Sequence, residues 1–94
     1  MAKSEENVIF IGRKPAMNYV MACFTVIQSG VKELVIKARG KSISKAVDVL
    51  EILKNRFMKD QISIAKIETG TEQIESKDRG TFSVSTIEIT AKVK

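Results

Sequence analysis

The chain has 94 residues, 44% of them hydrophobic, with one cysteine, no histidine and a formal net charge of +5. This length fits one domain, 1–94, in which we expect residues 1–6 to be flexible. One cysteine excludes an internal disulfide framework, and without histidine neither a zinc site nor any other metal or cofactor is expected. No apolar run approaches the roughly 18 residues that a membrane span needs, so we expect a cytoplasmic protein without a membrane partner.

The chain begins with a predicted strand and helix. Val8-Ile9-Phe10-Ile11 is a continuous apolar run, which predicts a buried strand ending at Gly12. Pro15 suits the first turn of a helix, and Gly30 is typical of a helix end. Cys23 lies among apolar helical residues and is interpreted as a core residue. Because this helix is apolar on more than one side, it suggests a dimer.

A second strand and helix follow. Leu34-Val35-Ile36 predicts the strand, and Ser42 or Ser44 is a candidate cap for the helix. Four apolar residues then share one helical face, and the last of them either closes the core or contacts another subunit: Ala46, Leu50, Leu53 and Phe57.

The last third predicts a long hairpin. Ile62 and Ile64 begin one strand, and a second apolar run has a phase slip near Ser85-Thr86 that predicts a bulge. The polar segment between them holds a turn signal, Lys77-Asp78-Arg79-Gly80. The predicted fold is α/β, more closely an α+β two-layer sandwich. Its order is β-α-β-α-β-β, with a four-stranded mixed sheet, two helices and a long C-terminal β-hairpin.

Positive charge is concentrated in one part of the chain. Residues 13–45 have a net charge of +6, whereas the charges from residue 46 onward cancel. Two basic loops, Gly12-Arg13-Lys14-Pro15 and Lys37-Ala38-Arg39-Gly40-Lys41, each join a predicted strand to a helix. If the two strands are adjacent and parallel, both loops emerge at the same edge of the sheet. Cations and free backbone N–H groups at a helix N-terminus bind anions such as phosphate. The sequence therefore indicates a nucleic-acid-binding protein, against the alternative of a solvated lysine-rich surface.

Several side chains are candidates for nucleic-acid contact. No aromatic residue is interleaved with the cations in sequence, which argues against base stacking as the main mode. Tyr19 is expected to pack rather than stack, and Asn18 either donates to a phosphate or faces water. The hairpin tip is either a flexible arm or a solvated turn. The candidates are Arg13, Lys14, Asn18, Tyr19, Lys37, Arg39, Lys41, Lys45, Lys77 and Arg79.

Catalytic motifs are not recognisable. Gly40-Lys41-Ser42 resembles the end of a P-loop, but Val35 stands where that motif needs a glycine. Glu72 and Glu75 lie in a polar segment where solvated carboxylates are expected. We therefore expect no enzyme. The alternatives are a metal-dependent nuclease that uses Glu72, and a protein-interaction module that uses Phe57.

Two segments carry a family resemblance: Gly12-Arg13-Lys14-Pro15-Ala16-Met17-Asn18-Tyr19, and Ile36 to Asp48, which begins Ile36-Lys37-Ala38-Arg39-Gly40-Lys41. With Ser85-Thr86-Ile87-Glu88-Ile89 near the end, the chain closely resembles the archaeal Alba family of chromatin and RNA-binding proteins from about Asn7 to Lys92. The resemblance implies the fold already predicted. It also implies a homodimer that binds double-stranded DNA and RNA with little sequence preference.

The resemblance also implies roles for particular residues. Nucleic-acid contacts carry over to Arg13, Lys14, Lys37, Arg39 and Lys41, and the hairpin arm to the segment with Lys77 and Arg79. Phe57 matches an aromatic position that contacts a neighbouring dimer. The first basic position, often an acetylated lysine, is Arg13 here, so acetylation would have to use Lys14.

The expected function is therefore that of an architectural chromatin protein that condenses DNA. It would bind double-stranded DNA and RNA without sequence specificity, as a homodimer on the chromosome. The alternative is an RNA-binding subunit of a ribonucleoprotein, for which RNA is the main partner.

Overall fold

The computed structural model describes residues 7–78 and 80–94. The expectation that residues 1–6 are flexible lies outside the described residues. Neither helix in the described part of the chain is long and apolar enough to cross a membrane. The elements are, in chain order, β1 (Val8–Phe10), α1 (Ala16–Gln28), β2 (Glu33–Arg39), α2 (Ile43–Ile52), β3 (Ile62–Ser76) and β4 (Gly80–Val93).

The four strands form one mixed sheet in the order β1-β2-β4-β3. β1 and β2 are parallel, whereas β4 is antiparallel to both β2 and β3. The last residue of β2, Arg39, pairs with Thr86, so the hairpin continues beyond this point as a two-stranded ribbon. A turn at Lys77 and Asp78 ends it. The predicted mixed sheet, two helices and long hairpin are confirmed.

The core lies between the two helices and one face of the sheet. In β2 the buried side chains are Leu34, Ile36 and Ala38, while the intervening residues point to the opposite, open face. Cys23 is also buried, and burial raises the pKa of its thiol to about 12, so it stays a neutral core residue as predicted. The other fully buried core residues include Val20, Ala46, Val49, Leu50, Leu53, Ile89 and Ala91.

The interpretation of β1 as a wholly buried strand is wrong at Phe10, which is 70% exposed. β1 is the edge strand, and successive side chains of a strand point to opposite faces. Ile11 therefore joins the core, whereas Phe10 lies on the open face beside Lys37. A run of apolar residues does not reveal that the helices cover only one face of the sheet, and Phe10 points to the other face.

The predicted serine cap of α2 is also wrong. A short 3₁₀ turn, Gly40–Ser42, leads into α2, and Ser42 already has a helical backbone, so no side-chain cap forms. Ser44 lies inside the helix. At the other end, one π-helical turn, Leu53–Phe57, extends α2.

The bulge lies in β3 and not in β4, where it was predicted. β4 pairs without interruption through Ser85 and Thr86, while the register of β3 shifts between Ile64 and Lys66. The apolar phase of β4 changes because the strand passes from the ribbon into the sheet at Thr86. Residues 80–85 of β4 pair with β3 but not with β2, so this part of the sequence need not keep one buried face.

Candidate nucleic-acid interface

The two basic loops lie at the same edge of the sheet. Parallel neighbours β1 and β2 end there together, as the sequence predicted. The loops also contact each other, because the Ser42 hydroxyl donates to the carbonyl oxygen of Gly12 at 3.5 Å. Gly40 turns the chain from β2 into α2 with a φ of 58°, a conformation that favours glycine. We call the cations around this edge the basic edge: Arg13, Lys14, Lys37, Arg39 and Lys41.

Tyr19 holds the first loop in place. Its hydroxyl oxygen accepts hydrogen bonds from the backbone N–H groups of Gly12, at 3.0 Å, and Lys14, at 3.2 Å. The phenol approaches so closely that a Cβ atom on Gly12 would lie 3.3 Å from the hydroxyl oxygen. Tyr19 thus packs, as expected, and its hydroxyl occupies two backbone N–H groups within the loop. The N-terminus of α1 has no side-chain cap, so its first N–H groups are available to a phosphate beside the cations of the loop.

Replacing Tyr19 with Phe is expected to lower the free energy of unfolding by about 1 kcal/mol, because two backbone donors lose their acceptor. Urea unfolding measures this. Thr25→Val is a matched control, since it removes an exposed hydroxyl that bonds only within α1, and it should change stability by less than about 0.5 kcal/mol. Equal effects of the two substitutions would contradict the role given to Tyr19.

Lys45 of α2 also contacts the first loop. Its ammonium group donates to the carbonyl oxygens of Gly12, at 2.9 Å, and Lys14, at 2.8 Å. Two of its three donors are therefore engaged within the chain. Lys45 adds positive charge behind the basic edge and ties α2 to the first loop.

Two cations of the basic edge form ion pairs across the open face of the sheet. The guanidinium of Arg39 contacts the carboxylate of Glu72, and Lys37 Nζ lies 3.6 Å from Glu88 Oε1. Glu72 is therefore occupied by a cation, unlike the solvated carboxylate that the sequence suggested. All four side chains are at least 40% exposed, and such surface pairs contribute only about 0–1 kcal/mol.

The remaining cations of the basic edge point into solvent. Within residues 7–78 and 80–94, no carboxylate lies within 4.0 Å of the charged atoms of Arg13, Lys14 or Lys41. All three residues are exposed. They offer two kinds of donor, since arginine can bind phosphate in a bidentate way and lysine acts as a mobile point charge.

A groove of about 810 Å³ lies in the open face of the sheet beside the basic edge. Arg13, Lys37 and Arg39 line it together with the paired carboxylates and Phe10. The ammonium of Lys37 lies 5.8 Å from the centroid of the Phe10 ring, a cation–π contact. Sequence reasoning missed Phe10, because it interpreted the apolar run Val8-Ile9-Phe10-Ile11 as a buried strand.

The other candidates are spread over the surface. Asn18 is exposed in the first turn of α1, near the first loop. Lys77 is exposed in the turn at the far end of the hairpin ribbon, and Arg79 lies outside the described residues. Phe57 is 37% exposed and contacts Phe24, with the ring centroids 5.6 Å apart. It lies at the opposite end of the sheet, where it lines a cavity with Gly30.

Comparisons with known proteins agree with this geometry. A family model described as Alba matches residues 7–71. Alba from Thermoplasma volcanium is 46% identical with a TM-score of 0.86, over 92% of this chain and 99% of that chain. ALBA1 from Trypanosoma brucei is 26% identical with a TM-score of 0.74, over 94% of this chain and 69% of that chain. Alba proteins are nucleic-acid-binding architectural proteins and not, in general, enzymes. The resemblance found in the sequence is confirmed, and the chain belongs to the Alba family.

Proposed function

We propose that this protein binds double-stranded DNA and RNA without sequence preference, as a homodimer that contacts phosphates through the basic edge. The observation that carries the proposal is the meeting of both basic loops at one edge of the sheet, with Arg13, Lys14 and Lys41 exposed and unpaired among the described residues. Contacts to phosphates fix a protein on a duplex but carry no sequence information. Such a protein would coat and condense DNA on the chromosome, in the cytoplasm.

In the ion pairs of the open face, a phosphate can replace the carboxylate. Arg39 and Lys37 already bind carboxylates, and a nucleic-acid phosphate offers them an anion of similar geometry at high local density. Because the pairs are exposed and weak, a polyanion can displace the carboxylates at little cost. Glu72 and Glu88 then act as competitors that lower the affinity.

Glu72→Gln is therefore expected to strengthen duplex binding by roughly two- to fivefold, since Arg39 is released from a surface ion pair. Fluorescence anisotropy with a labelled duplex measures the change. Glu75→Gln removes the same charge from the same hairpin, and no ion pair of Glu75 lies within the described residues. A gain of equal size in both variants would mean that only overall charge matters.

Exposed apolar side chains support the homodimer. α1 leaves Met17 and Met21 more than 40% exposed, although its sequence is apolar on several sides. On β3, Ile64 and Ile67 pair with core residues of β4 but are themselves exposed. Exposed apolar side chains of this size can be buried against a second copy of the chain. Light scattering after size exclusion should give twice the chain mass of 10.4 kDa, and a mass of one chain at micromolar concentration would contradict the dimer.

Further contacts complete the proposal. The ribbon that projects beyond β2 carries Lys77 at its end, which supports a role as an arm along the duplex, together with Arg79. Phe57, partly exposed at the end remote from the basic edge, would contact a neighbouring dimer. Asn18, exposed in the first turn of α1, would donate to a phosphate, and Tyr19 and Lys45 would hold the first loop in place. Lys14 is the candidate for regulation by acetylation, since it is exposed and acetylation would remove its charge.

A salt-series titration of a labelled DNA duplex and the matching RNA duplex tests this function. We expect binding to both, falling with salt by roughly 0.9 log units of affinity per log unit of salt for each phosphate neutralised on DNA. The ratio of the two affinities decides between DNA and RNA as the main partner. Much tighter binding of RNA would favour the alternative, an RNA-binding subunit of a ribonucleoprotein. No binding to either duplex at low salt would overturn the proposal.

A further inference from the structure

The groove beside the basic edge contains an exposed aromatic ring. Phe10 lies on the open face of the edge strand and is 70% exposed, more than any other large hydrophobic side chain described. It contributes little to the core, which its neighbours Ile9 and Ile11 contact instead. A large ring left in water on an edge strand adds no packing energy and favours aggregation. The ring is therefore available to a ligand.

The side chains around the ring carry positive charge, which suits the phosphates of a nucleotide. Phe10 pairs in register with Lys37, whose ammonium lies 5.8 Å from the ring centroid. Arg13 and Arg39 line the same groove. The volume of the groove, about 810 Å³, falls in the range of sites that hold small organic ligands. An aromatic platform with cations on its flanks is the arrangement by which proteins bind unpaired nucleotides.

We propose that the groove binds a single-stranded segment of nucleic acid, with an unpaired base stacked on the Phe10 ring and the flanking phosphates on Arg13 and Arg39. This inference rests on the proposed function, because it uses the same phosphate-binding cations. The inference differs from the proposed function in the ligand, which is a single strand and not a duplex. A duplex keeps its bases stacked on one another, so it cannot place one on the ring, whereas loops, bulges and strand ends can.

The carboxylates of the groove are consistent with this ligand. Glu72 and Glu88 each hold one of the cations that line the groove when no ligand is bound. A phosphate on Arg39 replaces the carboxylate of Glu72, whereas Arg13 has no carboxylate partner among the described residues. The Phe10 ring is 70% exposed when no ligand is bound, so a base can reach its face.

Phe10→Leu tests the inference because it keeps an apolar side chain but removes the aromatic face. The probe is a short single strand, oligo-U or oligo-dT, with one central 2-aminopurine whose fluorescence is quenched by stacking. We expect roughly tenfold weaker binding of the single strand and loss of the quenching, from the contribution of one stacked base. Binding of a duplex should stay within about twofold, and Phe10→Tyr should restore the wild-type values. The two oligonucleotides show whether RNA or DNA is preferred.

Val47→Ala is the control, since it removes exposed apolar surface from α2 at a residue that does not line the groove. It should leave both the affinity for the short single strand and the quenching unchanged. Single-strand binding by Phe10→Leu at the wild-type level would overturn the inference, and so would an equal loss with single strands and duplexes. Neither result would affect the proposed function, which fails separately if no duplex binds at low salt.

Discussion

Arg39→Glu is expected to weaken the binding of every duplex by roughly 10- to 100-fold at moderate salt. The substitution removes a charge-assisted contact to phosphate and places a carboxylate there, and such contacts contribute about 1.5–3 kcal/mol. Arg39 is the last residue of β2 and is exposed, so its own contribution to folding is small. Anisotropy titrations with two duplexes of unrelated sequence measure the effect.

Two further variants make this result specific. Arg56→Glu changes the net charge by the same amount in the π-helical turn that follows α2, at the end of the sheet remote from the basic edge. It should weaken binding less than about threefold, because the long-range effect of a remote charge is screened by salt. Arg39→Gln removes the contact without placing two carboxylates side by side. Equal losses for Arg39→Glu and Arg56→Glu would show that net charge, and not the basic edge, governs binding.

Ile36→Ala is expected to lower the free energy of unfolding by about 2–5 kcal/mol. Ile36 lies in the middle of β2, is fully buried and pairs with Ile89 of β4, so its removal leaves a cavity between the sheet and the helices. A domain of this size has about 5–15 kcal/mol of stability in total. The single change therefore removes a large share, which urea denaturation followed by circular dichroism measures.

A graded pair of variants separates packing from other causes. Ile36→Val removes one methylene group and should cost about 0.5–1.5 kcal/mol. Val47→Ala, on the exposed face of α2, should cost less than about 0.5 kcal/mol. The account of the core would be wrong if Ile36→Ala cost no more than Val47→Ala.

Most of the fold could be predicted because local patterns and packing agree. Gly30 has a φ of 105° and follows α1, as a glycine at a helix end should. The errors come from places where burial depends on the rest of the molecule. Phe10 is exposed because β1 is an edge strand, and β4 changes its apolar phase because the ribbon leaves the sheet. The local sequence determines neither the order of the strands in the sheet nor the length of a neighbouring strand.

The meeting of the two basic loops was predicted, whereas the contacts that their side chains make were not. The parallel pairing of β1 and β2 brings the loops together, which their strand-loop-helix pattern indicated. The partners of Tyr19 and Arg39 could not be predicted. The Tyr19 hydroxyl folds back onto the loop that precedes it, and Glu72 reaches Arg39 from a strand far along the chain. Such contacts depend on side-chain geometry and on long-range register.

The central claim, that the basic edge binds phosphates, is tested most directly by the slope of log affinity against log salt for wild type and Arg39→Gln on one DNA duplex. A phosphate contact that is lost lowers the magnitude of this slope by about 0.9. We therefore expect a shallower slope for Arg39→Gln and an unchanged slope for Arg56→Gln. Identical slopes for wild type and Arg39→Gln would contradict the claim, because Arg39 would then release no counterion from the duplex.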